Sequence, residues 1–156
     1  MSNTQSMCTS FMGELMTATH NFGTAPTRAT STADTFKGAL YLASATINAS
    51  TTAYSATGEV SGTGYSAGGV TVTNATPPTA TNSSSTAGVA YWTPSASLTY
   101  TSVTLTTAFD AVLIYNSTQS NKAVSVHTFG SQTITAGTFT LTMPSNTTTT
   151  ALLRLA

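Results

Sequence analysis

Apolar and polar positions are patterned differently in the first part of the chain and in the rest. Residues 9 to 20 place Phe11, Met12, Leu15 and Met16 at i, i+1, i+4 and i+5. That spacing gathers them on one face of a short helix, with Thr9 or Ser10 as its cap. His20, Asn21, Phe22 and Gly23 end it, and residues 25 to 34, with Pro26 and many small polar side chains, read as a linker. A helix of two to three turns is marginal alone. Its face therefore packs either on its own domain or, as a helical arm on a tether, on a neighbour. The division this suggests is an N-terminal arm with its linker over 1–34 and a β domain over 35–156.

From Phe36 onward short β runs alternate with clusters of Gly, Pro, Asn and Ser. Phe36 to Leu42 opens the set, and Val70 and Val72 alternate with Thr71 and Thr73. Val89 to Trp92 follows, then Leu98 to Leu105, which changes face between Tyr100 and Val103 and so predicts a bulge. Ala111 to Tyr115 is continuously apolar, the mark of a strand buried on both faces, and Asp110 to Asn116 is the expected central strand. Ala123 to Phe129, Gln132 to Thr135, Thr138 to Met143 and Ala151 to Leu155 complete the pattern. Some eight strands without intervening helices predict an all-β fold, an antiparallel β-sandwich or jelly roll with a short N-terminal helical arm. Thr suits the outward face, because its β-branch favours the pleat while its hydroxyl stays hydrated. Residues 58–69, with five glycines, and 74–88, with Pro77-Pro78, read as long loops.

Composition changes the picture in one respect. Only 5% of the 156 residues are charged, and the net charge is zero. Arg28, Lys37, Lys122 and Arg154 are scattered, so neither nucleic acid nor an anionic membrane has a basic patch to meet. With so little self-repulsion, association is expected. Cys8 is the single cysteine, which leaves no intrachain disulfide and no thiol cluster for a metal. The N-terminus lacks a basic stretch leading into an apolar run, from which synthesis in the cytoplasm without secretion is expected. Five Asn-x-Ser/Thr triplets, at Asn48, Asn74, Asn82, Asn116 and Asn146, are no more than so much Ser and Thr makes by chance.

Candidate chemistry is thin. His127, Asp110 and a serine could make a triad, but abundant serine robs that of meaning, and no Gly-x-Ser-x-Gly elbow sharpens it. The scattered acids form neither a glycosidase pair nor a calcium loop. Gly58-Glu-Val-Ser-Gly-Thr-Gly-Tyr lacks the Gly-Lys-Ser/Thr ending of a phosphate loop, and its glycines fit turns instead. Trp92, Tyr91, Tyr100 and Tyr115 could stack on a sugar or simply fill the core. No catalytic residue, cofactor site or metal site is assigned, and the expectation is a non-enzyme.

Four segments carry a resemblance: Phe11 to Phe22 (FMGELMTATHNF), Asp34 to Tyr41 (DTFKGALY), Ser50 to Gly69, and Leu113 to Gly130. In order and spacing they resemble a family of small virion proteins of tailed bacteriophages, in which a helix ending in His-Asn-Phe precedes a Phe-Lys-x-Ala-Leu-Tyr strand. The likeness covers nearly the whole chain, and departs in the Met-rich, charge-poor arm with Met7, Met12 and Met16. The resemblance implies a virion structural protein at the capsid surface, a decoration or cement protein that clamps subunits of the major capsid protein. It also implies self-association as a homotrimer, with no nucleic acid or membrane partner. Phe11, Met12, Leu15, Met16 and Phe22 are the expected anchors of the arm, each burying apolar area that contributes roughly 1.5–3 kcal/mol before ordering costs. The alternative is a tail-associated or fibre-like protein that contacts host glycans through Trp92 or the Gly-rich loop. An enzyme acting on the host envelope, through His127, Asp110 and Glu59, is the third possibility.

Overall fold

A computed structural model describes residues 2–16, 19–22, 33–74, 78–81 and 88–155, apart from the side chain of Met16. The described chain is mostly β, and its strands pair antiparallel throughout. In chain order the elements are β1 (Ser6–Met7), α1 (Thr9–Met16), β2 (Phe36–Leu42), β3 (Val70–Thr71), β4 (Thr79–Ala80), β5 (Ala90–Trp92), β6 (Leu98–Asn116), β7 (Lys122–Leu141) and β8 (Leu153–Leu155). One sheet has the order β1-β7-β6-β2-β3, and the other β4-β5-β8.

The β6–β7 hairpin dominates. Five runs of the sequence that read as separate strands merge here into two strands of 19 and 20 residues. The breaks between those runs are bulges rather than turns. Ser102 (φ 55), Gly130 (φ 81) and Ala136 (φ 45) take the left-handed backbone such irregularities use, and the register slips between Tyr100 and Val103, as the face change in the sequence requires. Beyond Phe109 the strand runs between β2 and β7, and Ala111 to Asn116 are all buried, so this is the central strand. The hairpin closes through Ser120 and Asn121, both at positive φ, with Lys122 N–H donating to Gln119 O at 3.1 Å.

The core is a single cluster. Phe36, Leu40, Phe109, Leu113 and Val126 of the larger sheet share it with Trp92 and Leu153 of the smaller one. Residues before 34 enter the same cluster: β1 pairs with β7 at Ser6↔Val126, and Cys8, Phe11 and Phe22 are buried. Phe22 stacks on Phe36 with centroids 4.3 Å apart and meets Trp92 edge-on at 4.7 Å. Of the helix expected over 9–20, the described part spans Thr9–Met16 and lies on its own sheet, against β7.

A buried polar network fixes that placement. Asn116, with 0% exposure, accepts the N–H groups of Thr118 and Gln119 on Oδ1, which turns its Nδ2 toward His20 Nδ1 at 3.1 Å and Asp34 Oδ2 at 2.7 Å. His20 therefore carries its ring proton on Nε2, which faces Glu14 Oε2 at 2.6 Å. Lys122 Nζ closes the other side of Glu14 at 2.6 Å. Burial pushes the Glu14 carboxyl up, but Lys122 and His20 outweigh it and hold its pKa below the ordinary value. Asp34 Oδ2 also accepts from Asn21 N–H at 2.8 Å. Asn116→Ala removes the partner of His20 Nδ1 and of the Thr118 and Gln119 N–H groups and one of the donors to Asp34, and is expected to cost about 2–4 kcal/mol in urea unfolding at pH 7. A loss under about 1 kcal/mol would mean the network does not hold the arm.

Candidate docking surface

Where α1 approaches the smaller sheet, an apolar groove of about 80 Å³ opens between Phe11, Leu15 and Phe22 on one wall and Tyr91, Trp92, Leu153 and Leu155 on the other. The helix supplies its wall because Phe11 and Leu15 are one turn apart, and β8 supplies Leu153 and Leu155 from the same side of the strand. Leu155, which lines the groove, is 40% exposed, and Met12, on the same helix as Phe11 and Leu15, is 48% exposed; these are the two exposed large hydrophobic side chains among the described residues. An apolar patch of this kind on a surface of Thr and Ser is a contact surface in physical terms, since water gains by its burial.

Of the expected anchors, Phe11 and Phe22 are interior to this chain's own core, with only their edges reaching the groove. Leu15 is half-buried in the groove wall and Met12 projects into solvent. Met16 lies outside the described side chains. The opposite wall, from β5 and β8, was not legible in sequence: Leu153 and Leu155 lie more than 130 residues from the helix.

The other candidates separate. Trp92 is 2% exposed, with its indole N–H on Asn74 Oδ1 at 2.8 Å, so it offers no open face to a sugar. Asp110 Oδ1 accepts from Asn3 Nδ2 at 2.5 Å, and His127 instead pairs with Ser125, Oγ to Nε2 at 2.8 Å. That pair lines a polar cavity of about 300 Å³ with Gln5, Ser6 and Arg154. Burial pushes the His127 pKa down from 6.5 to about 4. Between those values the unfolded chain takes a proton that the folded chain refuses, so stability falls as pH drops from 6.5 toward 4, by about 1.4 kcal/mol per pH unit. His127→Gln is expected to flatten that slope in urea titrations at pH 7 and pH 5. An unchanged slope would show that His127 is not its source. Cys8 is fully buried, and burial, with the Glu14 charge nearby, lifts its thiol to about 11, so it stays protonated at neutral pH.

Sequence reasoning named Glu59 only as a candidate acid of an enzyme and missed the cluster around its carboxylate. It accepts Tyr54 OH at 2.6 Å, Tyr65 OH at 2.7 Å and Gly68 N–H at 2.7 Å. Tyr115 OH donates to Gly68 O at 2.9 Å and Tyr100 OH to Gly38 O at 2.8 Å. Burial, and then the Glu59 charge, raise the pKa values of Tyr54, Tyr65 and Tyr100 above the ordinary phenol range, so all stay donors. The cluster pins the Gly-rich loop onto β2. At Gly69 (φ +73) a Cβ would lie 1.7 Å from Gly38 O, which admits only glycine. The signal was a lone acid amid glycines with tyrosines on either side, readable only once the fold converges them.

Among the described residues no cluster of three or more His, Cys, Asp or Glu could hold a metal ion, and no helix is long and apolar enough to cross a membrane. No family model, no curated protein and no solved structure matches the chain.

Proposed function

We propose that this chain is a structural protein of a tailed-bacteriophage particle, a decoration protein that docks on the assembled capsid and clamps its subunits. The observation that carries the reading is the apolar groove between α1 and β8, lined by exposed Leu155, on a nearly uncharged surface, with Met12 exposed on the same helix. A partner side chain entering the groove would bury Leu155, a partner surface lying along α1 would bury Met12, and many copies on one lattice multiply a modest gain. The two antiparallel sheets share one core, which supports a sandwich as the architecture. In this reading the major capsid protein is the partner.

The test has two parts. Mass-spectrometric copy counting on purified virions, with heads and tails separated, is expected to give hundreds of copies confined to heads. A dozen or fewer copies in tails would replace the clamp by a tail role. Met12→Asp with Leu155→Asp is then expected to weaken binding to heads by about tenfold or more while the unfolding midpoint stays unchanged, since both side chains are exposed. Undiminished binding would place the contact elsewhere.

A further inference from the structure

The inner edge of β7 pairs with β6 from Lys122 to Leu141, but its outer edge meets β1 only at Ser125 and Val126. From His127 to Leu141 no described strand lies on that edge. Exposed edges are usually blunted by charge or proline, and this stretch has no Lys, Arg, Asp, Glu or Pro. Within 131–141 the ladder also slips opposite 132–134 and 137–139, where the extra residues belong to β6, and the bulge carried by β7 itself is at Ala136.

That bulge sits at the centre of a sequence that reads alike in both directions: Thr133-Ile134-Thr135, Ala136-Gly137, Thr138-Phe139-Thr140. Leu105 opposes Ile134 and Val103 opposes Gly137, so β7 spends three steps where β6 spends two. The extra residue shifts the phase. Ile134 and Phe139, five apart, are both half-buried, whereas Thr133, Thr135, Thr138 and Thr140 are all exposed. Phe139 rests against Phe109 and Phe129, with centroids 5.1 and 5.2 Å away.

We infer that this edge is a pairing surface for a second copy of the chain, whose β7 lies antiparallel to it about a two-fold axis between Ala136 and Gly137. That axis sets Ile134 opposite Phe139 of the other copy on the half-buried face. On the exposed face it sets Thr133 opposite Thr140, and Thr135 opposite Thr138. Without the bulge the odd spacing would put the apolar pair on opposite faces. A second copy fits because it alone must bring the same pattern reversed, with matched Thr–Thr and apolar pairs and no charge facing a like charge. The contact is isologous and closes at two, so the dimer is its unit. It stands independently of the capsid reading.

Sedimentation equilibrium of the full chain at micromolar concentration is expected to give a dimer. Thr133→Lys with Thr140→Lys sets lysines opposite each other and is expected to weaken the dimer by about tenfold or more, with unchanged far-UV circular dichroism. Thr133→Glu with Thr140→Glu is expected to do the same. Mixing the two variants restores a dimer, one copy of each. Amide exchange over 131–141 is expected to slow as the wild-type chain passes from monomer to dimer. A wild-type monomer or trimer, a dimer indifferent to the lysines, or exchange independent of concentration overturns the inference.

Discussion

Glu59→Ala is expected to lower the stability of the protein by about 3–5 kcal/mol, the largest effect of any single polar substitution. Three donors converge on that carboxylate within 2.7 Å, from Tyr54, Tyr65 and the backbone of Gly68. Removing the acceptor leaves the buried Gly68 amide and two half-buried phenols without their partner, and opens a cavity where the side chain stood. Tyr65 OH also accepts Leu40 N–H at 3.0 Å, so the disturbance passes to β2. Glu59→Gln keeps one acceptor oxygen but turns N–H groups toward the phenols, and is expected to cost less than alanine. Urea unfolding at pH 7 measures both. Equal, small losses would mean that the loop over 58–69 is held by its backbone fit, as at Gly69, and not by the carboxylate.

Deleting residues 1–22 is expected to abolish folding. An arm on a tether would leave 35–156 a folded domain that had lost only its contact surface. Here the deletion removes β1 from the sheet edge, Cys8, Phe11 and Phe22 from the core, and Glu14 and His20 from the network around Asn116. Phe22→Ala alone is expected to cost about 3–5 kcal/mol, because its buried ring packs against both Phe36 and Trp92. Soluble expression and a dispersed amide spectrum from residues 23–156 would instead show that the β domain stands by itself.

How far the fold was readable depended on how local its cause was. The phase change from Tyr100 to Val103 gave the bulge away, and the unbroken run Ala111 to Tyr115 marked the central strand, because each signal is contained in one strand. Strand ends were less readable. Gly130-Ser131 and Ala136-Gly137 look like breaks between separate strands, yet they continue β7, since a residue at positive φ can bend a ladder without ending it. Two-residue strands such as β1 and β4 carry no period at all. The face of α1 was visible, but not what it meets, because Leu153 and Leu155 reach it only through the smaller sheet. The cluster around Glu59 was hidden for a different reason: Tyr54, Tyr65 and Gly68 are close to it in sequence but share no strand or helix period that would turn them toward one carboxylate.

The pairing of Ser6 with Val126 also orders events during synthesis. A ribosome makes β1 and α1 some 120 residues before the strand that receives them, whereas β6 and β7 follow each other across a five-residue turn. The hairpin can form as soon as it emerges, but β1 and α1 must wait, with the faces they turn to β7 uncovered, until β7 exists. Nascent chains halted before Lys122 are therefore expected to bind holdase chaperones through their N-terminal segment, and to release them once Val126 clears the exit tunnel.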